Sequence, residues 1–261
     1  MKKILALVLT LMLAVTMFAG CASKDPAKDL DNVKKAKKLV IGYTVYEPMN
    51  YEENGKFVGF DTEFAEAVCK KLGVEAEFVE IDWDNKFVTL DARKIDCIWN
   101  GMTISDEVKK NCDVSTAYAE NSQVVVINES LLEQYKTIDS LKDLRFVAEA
   151  GSAGEAAIKA NGLDKNYTSA KSQADAMVAL KAGQADACVI DSTMANSITK
   201  DGTDYAEFSY STELTLTTEE YGIGFRKNSS LTAEINKIIG ELKADGTLDK
   251  LAEKYGLNLA L

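Results

Sequence analysis

The stretch Leu39-Val40-Ile41-Gly42-Tyr43 is a short apolar run that ends in turn residues, which is typical of a buried strand. A second stretch, Phe57-Val58-Gly59-Phe60-Asp61, leads into a segment whose apolar residues recur every three or four positions until Gly73. That spacing predicts a helix, with Asp61 as its N-terminal cap and Gly73 at its end. The first unit of the fold is therefore a strand followed by a helix.

The same alternation continues along the chain in two series. The first series adds a strand over residues 75–81, a helix over residues 87–90 and a strand over residues 95–99. The second begins with a strand at residues 144–148 and reaches another strand at residues 187–190. Strands that alternate with helices of about ten residues predict mostly parallel sheets that are covered on both faces. Ligands of such folds bind at the carboxyl ends of the strands.

Two extended segments, residues 123–127 and 220–225, lie between these series, and two helices, residues 231–243 and 248–254, follow. The pattern predicts an α/β fold of two lobes, each with its own sheet, joined by two crossing strands. Each lobe is expected to have helices on the faces of its sheet.

Composition excludes several classes of function. The 261 residues carry a net charge of −11, so the surface repels phosphate backbones and no nucleic-acid partner is expected. Histidine is absent, which excludes Ser-His-Asp and Cys-His catalysis. Four cysteines lie within apolar surroundings and lack CxxC spacing, so they are interpreted as small buried hydrophobes rather than disulfides. Neither a metal nor a cofactor is expected. The four are Cys69, Cys97, Cys112 and Cys188.

The N-terminus has the pattern of a secretory signal. Lys2 and Lys3 precede an apolar run over residues 4–18, and Ala19-Gly20-Cys21 follows. This ending resembles a bacterial lipobox, which implies removal of residues 1–20 and a diacylglycerol anchor on Cys21 that holds the protein to a membrane. The alternative is an ordinary signal cut near Ala22 or Ser23. Residues 21–36 are interpreted as a tether that is followed by a short helical approach to the first strand.

Five stretches in this order resemble the solute-binding proteins of polar amino-acid ABC importers. The resemblance spans about residues 37–257 and implies two lobes that close over a ligand about a two-strand hinge. It implies lobe 1 at residues 37–122 and 222–261, lobe 2 at residues 127–217, and hinge strands at residues 123–127 and 218–225. The stretches are Gly59-Phe60-Asp61, KIDCIWNGMTI at 94–104, Ala150-Gly151-Ser152, EYGIGFRK at 220–227 and LKADGTL at 242–248.

The resemblance implies roles for three side chains at the cleft. It matches Tyr46 to an aromatic residue that packs on the ligand, and Asp191 to the acid that binds the ligand ammonium. Glu149 is expected beside the cleft. The residues themselves leave other interpretations: Asp191 as the cap of the helix after it, Tyr46 as an exposed loop aromatic, and Glu149 as a solvent-facing acid.

Further contacts are implied by loops that follow strands. The resemblance implies main-chain and hydroxyl contacts from Asn100, Gly101 and Thr103. Ser152 and the amides near Ala153 fall at a predicted helix N-terminus, which is suited to a ligand carboxylate.

One residue of the family pattern is missing. The carboxylate-binding Arg would stand at Val108, so the cleft is expected to hold a carboxylate weakly unless Lys86, Lys109 or Lys110 replaces it. Trp83 begins the segment implied at the cleft mouth, whereas Trp99 is expected to be core.

The resemblance implies a monomeric binding protein, not an enzyme, that delivers an amino acid or related small amine to an ABC permease at the outer face of the cytoplasmic membrane. Two alternatives stay open. One is a dehydratase-like enzyme on the same fold, with Glu149 and Asp191 as acids, and the other is a ligand sensor without a transporter.

Overall fold

The computed structural model describes residues 25–261. Residues 1–20 and Cys21, where the signal and the lipid anchor are expected, lie outside the described residues. The strands are β1 Lys38–Tyr43, β2 Tyr51–Glu53, β3 Lys56–Val58, β4 Glu75–Glu80, β5 Cys97–Thr103, β6 Asp113–Val114, β7 Ala119–Asn128, β8 Phe146–Glu149, β9 Tyr167–Ala170, β10 Ala187–Asp191 and β11 Phe208–Phe225. The helices are α1 Asp29–Ala36, α2 Phe60–Leu72, α3 Lys86–Asp91, α4 Asp106–Asn111, α5 Ile138–Leu141, α6 Ala153–Ala160, α7 Gln173–Lys181, α8 Ser192–Ile198, α9 Ser230–Ala244 and α10 Thr247–Tyr255.

Lobe 1 is built on β1, which pairs in parallel with β4 on one side and β5 on the other. Leu39 and Ile41 of β1 are fully buried, as expected for a strand covered on both faces. Helix α2 begins after Gly59 and carries no side-chain cap, so the predicted capping role of Asp61 is wrong. Asp61 instead turns into the core and accepts a hydrogen bond from the Gly101 amide at 2.6 Å.

Lobe 2 repeats the plan. Strand β8 pairs in parallel with β9 and with β10, and apolar side chains of these strands form a separate core with Ile158 of α6. Ser152 and Ser172 each cap the helix that follows, accepting from the amides of Glu155 and Asp175 at 3.1 and 3.0 Å.

The hinge strands are longer than the sequence predicts. Strands β7 and β11 pair in antiparallel fashion from Phe208↔Asn128 to Tyr221↔Ala119. Strand β7 also pairs with β10 of lobe 2, and β11 pairs with β5 of lobe 1. The two expected sheets are therefore continuous through the hinge, in the order β4-β1-β5-β11-β7-β10-β8-β9.

The N-terminal segment is partly folded onto lobe 1. Residues 26–36, expected to be a tether and a short helical approach, form a 3₁₀ turn and α1. Asp29 of α1 is 1% exposed and accepts from Arg226 Nε at 2.9 Å, from Arg93 Nη1 at 2.6 Å and from Ser229 Oγ at 3.0 Å. A buried carboxylate is tolerated when charges and donors surround it in this way.

Three further observations concern the cysteines, the helices and metal binding. The four cysteines of the described part are buried free thiols. Within residues 25–261 every helix is too short or too polar to cross a bilayer. The same residues contain no cluster of three or more Cys, Asp or Glu side chains arranged to hold a metal ion.

Candidate functional site

A cavity of ≈ 380 Å³ lies between the two lobes. Strands β5, β8 and β10 all end at this cavity, as expected for carboxyl ends in an α/β fold. The structure brings together most of the positions expected from the sequence. Those that line the cavity are Asn100, Gly101, Thr103, Glu149, Ser152, Ala153 and Asp191.

Asp191 is 5% exposed at the end of β10. Its side chain makes no capping bond to α8, so the helix-cap interpretation is wrong. It accepts hydrogen bonds from three side-chain amides, that of Gln123 at 2.6 Å and those of Gln173 and Asn121. Burial, together with the charge of Glu219, raises the pKa of Asp191 well above its ordinary value. A carboxylate held this way attracts a cation.

Glu219 of β11 also lines the cavity. It accepts from Gln123 Nε2 at 2.8 Å, from Asn121 Nδ2 at 2.7 Å and from Thr103 Oγ1 at 2.8 Å. The sequence analysis did not find Glu219, Asn121 or Gln123. The signal available was position, because hinge strands run past the cleft: Gln123 and Glu219 lie in the predicted hinge strands, and Asn121 stands two residues before one.

Glu149 ends β8 and is 2% exposed, so the solvent-facing interpretation is wrong. Its Oε1 atom is buried without a hydrogen-bond partner among the described residues. Burial raises the pKa of Glu149 to about 8, although a hydrogen bond from Thr44 acts in the opposite direction. A buried acceptor without a donor is costly, so a ligand that supplies one is stabilised here.

Asn100 and Gly101 are positioned by internal hydrogen bonds. Asn100 Nδ2 donates to the Thr44 carbonyl at 2.9 Å and to Asn50 Oδ1 at 2.8 Å. The amide of Gly101 donates to Asp61. Burial raises the pKa of that Asp61 carboxyl to about 7. The side-chain amide of Asn100 and the main-chain amide of Gly101 are thus used to hold the loop.

The N-terminus of α6 is also partly occupied by the chain itself. Ser152 Oγ accepts from the Glu155 amide, and Glu155 Oε2 accepts from the amide of Gly151 at 2.7 Å. This carboxylate sits where a ligand anion would gain from the helix dipole. The main-chain amides near Ala153 are the groups at the start of α6 that can still bind a ligand.

Tyr46 differs from both interpretations drawn from the sequence. It is 1% exposed and lies beneath the cavity rather than in its lining. Its hydroxyl is 2.6 Å from that of Tyr221, and a Cβ atom added at Gly101 would lie 2.7 Å from its Cε1. Tyr46 therefore supports the floor of the cavity from the core of lobe 1.

Lys86, Trp83 and Val108 line the lobe 1 side of the cavity. Lys86 is 4% exposed, and burial lowers its pKa. The other two candidate replacements for the missing Arg, Lys109 and Lys110, are exposed and outside the cavity lining.

Trp99 is core, as expected. It is fully buried, and its ring packs edge-on to Phe64 with ring centres 4.9 Å apart.

The lobes touch across the cleft. Lys86 Nζ of lobe 1 donates to the Gly151 carbonyl of lobe 2 at 2.8 Å, and Ser197 Oγ of lobe 2 donates to Glu47 Oε1 of lobe 1 at 2.8 Å. The structure is thus in a closed arrangement around its cavity.

Two α/β lobes that close on a cavity lined by buried acids define the class of solute-binding proteins. The chain belongs to the bacterial extracellular solute-binding proteins, family 3, since the model of that family matches residues 39–258.

Three comparisons illustrate this membership. The chain is 31% identical to the L-cystine-binding protein TcyJ of Escherichia coli K12, over 94% of this chain and 92% of that one. A mutant of ArgBP from T. maritima has a TM-score of 0.80 and 32% identity, covering 87% of this chain and 98% of that one. The ancestral amino acid-binding protein AncCDT-1, a precursor of cyclohexadienyl dehydratase, has a TM-score of 0.78 and 31% identity, with coverage of 87% and 98%.

Proposed function

We propose that this protein is a monomeric, lipid-anchored binding protein that captures an amino acid or a related small amine and delivers it to an ABC importer. The observation that carries the proposal is the cavity between the lobes, which the buried acids Asp191 and Glu149 line. A volume of ≈ 380 Å³ suits one small molecule. The names of the relatives, which bind cystine and arginine, support the amino-acid class.

Calorimetric titration tests capture directly. The panel contains the twenty protein amino acids, L-cystine, and the amines made by their decarboxylation. We expect one or a few members to bind, with compaction in small-angle scattering, because contacts from both lobes to one ligand exist only in the closed state. Absence of binding across the panel would contradict the proposal.

The lipid anchor is supported by the lipobox-like ending at Cys21. Mass spectrometry of the mature N-terminus tests it: a diacylglyceryl group on Cys21 is expected, and an unmodified N-terminus beyond residue 21 would contradict it. Delivery is tested by uptake of the bound compound in cells with and without this protein.

An enzyme is the second candidate. It is favoured by Glu149, whose pKa near 8 leaves it a protonated acid at neutral pH, and by the likeness to a dehydratase precursor. Nuclear magnetic resonance of each bound compound over hours distinguishes the two: an unchanged compound indicates a binding protein, and conversion indicates an enzyme that loses activity in Glu149→Gln.

A further inference from the structure

We infer that Lys86 binds the carboxylate of the captured amino acid, an inference that rests on the proposed function. Among the described residues that line the cavity, Lys86 is the only one with a basic side chain. An amino acid brings one negative group into a cavity whose lining also contains Glu107, Glu149, Asp191 and Glu219. A carboxylate among these acids needs a cation, and Lys86 is the one present in the described lining.

The ammonium of Lys86 is held in place but has capacity left. Two of its three N–H groups donate to main-chain carbonyls, that of Gly151 at 2.8 Å and that of Trp83 at 3.3 Å. The rings of Trp83 and Phe87 lie 5.2 and 4.7 Å from Nζ, which fixes the stem and favours the charge. The third N–H group is available to an anion in the cavity.

The charges that face Lys86 agree with this role. Glu107, Glu149 and Asp84 are its acidic neighbours, yet none of them makes an ion pair with Nζ. The ligand carboxylate therefore competes with no existing salt bridge in the described chain.

The arrangement also assigns the two charged groups of the ligand to different ends of the cavity. Asp191 and Glu219 share the amides of Asn121 and Gln123 at the hinge, which places negative charge there for the ligand ammonium. Helix α6 is a weaker rival for the carboxylate, because its Gly151 amide already binds Glu155. A Lys provides a point charge without the bidentate geometry of an Arg, so it tolerates varied carboxylate orientations.

The test separates a carboxylate contact from a purely structural one. Lys86→Met removes the charge and keeps most of the stem, Lys86→Arg keeps the charge, and Lys110→Met is the control at an exposed lysine. Each variant is titrated with L-arginine, L-lysine, L-histidine and L-cystine, and with their decarboxylated amines agmatine, cadaverine, histamine and cystamine. Thermal melting verifies that each variant is folded.

We expect Lys86→Met to lower the affinity for the amino acid that binds wild type by about 10- to 100-fold. The affinity for the corresponding amine should change by less than about threefold. Lys86→Arg should recover most of the lost affinity, and Lys110→Met should bind as wild type does. Equal losses for acid and amine would overturn the inference and make Lys86 a latch between the lobes. Binding of amines alone to wild type would overturn it too, while capture of a small amine stands. If none of the eight compounds binds wild type, the same variants are titrated with the amino acid that the wider panel identifies and with its amine. Equal losses for that pair would overturn the inference alone, whereas absence of binding across the wider panel would overturn the proposed function as well.

Discussion

Asp191 and Glu219 accept hydrogen bonds from the same two side-chain amides, those of Asn121 and Gln123. Asp191 belongs to lobe 2 and Glu219 to a hinge strand, so one carboxylate pair connects the ligand cavity with the segment that moves. A cation between the two acids relieves their mutual repulsion. Ligand charge and lobe closure are thereby coupled at one place.

Replacement of Asp191 by Asn should therefore weaken binding of an amino acid strongly. Loss of a buried charge partner costs about 2–5 kcal/mol, or about 30- to 5000-fold in affinity. Glu219→Gln is the matched comparison, with a smaller loss because Glu219 is only partly buried. Calorimetry on folded variants measures both, and a loss below threefold for Asp191→Asn would assign the ammonium to another group.

Stability of the ligand-free protein should depend on Glu149 between pH 5 and pH 8. The pKa of Glu149 is about 8 in the folded protein and about 4.3 in the unfolded chain, so the folded state binds the extra proton in this range. The contribution of that proton to the free energy of unfolding is fully present below pH ~4.3. It is lost as the pH rises to 8, at no more than about 1.4 kcal/mol per pH unit.

Urea unfolding of wild type and Glu149→Gln at several pH values measures this effect. We expect the variant to gain stability relative to wild type as the pH rises, because its amide has no proton to lose. Glu253→Gln, at an exposed site on α10, is the control. Parallel curves for wild type and Glu149→Gln would contradict the raised pKa.

Binding of an amino acid should release protons near neutral pH. The ligand ammonium favours the ionised forms of Glu149 and Asp191, whose pKa values are raised by burial. Affinity should thus rise from pH 6 to pH 8, by at most about tenfold per pH unit for each proton released. Calorimetry in two buffers of different ionisation enthalpy counts the protons, and identical heats in both would contradict the coupling.

Gly151→Ala should oppose closure. Gly151 has φ 68°, and a Cβ atom there would lie 2.8 Å from Asp84 Cα in the other lobe. Gly162→Ala is a matched control, because its φ is 66° and its Cβ would meet nothing within 4 Å. Both variants should lose about 1–2 kcal/mol of stability from backbone strain, but only Gly151→Ala should bind more weakly, by about tenfold or more. Similar affinities for the two variants would indicate that the lobes close without this contact.

Asp29→Ala should destabilise lobe 1 by about 3–5 kcal/mol, because buried Arg226 loses its shorter carboxylate contact, at 2.9 Å, and keeps the one to Asp96 at 3.3 Å. Asp31→Ala, at an exposed position of the same helix, should cost much less. Urea unfolding compares the two, and equal small losses would show that α1 contributes little to the fold.

Much of the fold follows from sequence pattern. The helices predicted at residues 231–243 and 248–254 differ from α9 and α10 by one residue at each end, since apolar spacing and caps are local signals. Asp191 follows the same logic, because it ends a buried strand.

What could not be predicted depends on contacts between distant residues. Tyr46 is buried where its hydroxyl shares a hydrogen bond with that of Tyr221, 175 positions later. Asp61 stands where a helix cap is expected, but its carboxylate accepts a hydrogen bond from the amide of Gly101, 40 positions away. The bond between Glu155 and Gly151 is local, yet nothing in the residue types shows that it takes the place of a ligand anion.

The ion pairs of Asp29 have a mechanical meaning. They fasten the beginning of the described chain to lobe 1 through Arg226 and Arg93, so an attachment at the N-terminus acts on lobe 1 rather than on lobe 2. On capture, lobe 2 then moves relative to lobe 1 and to the attachment point. A molecule immobilised by its N-terminus should show ligand-dependent displacement of a label on α7, while a label on α2 stays in place.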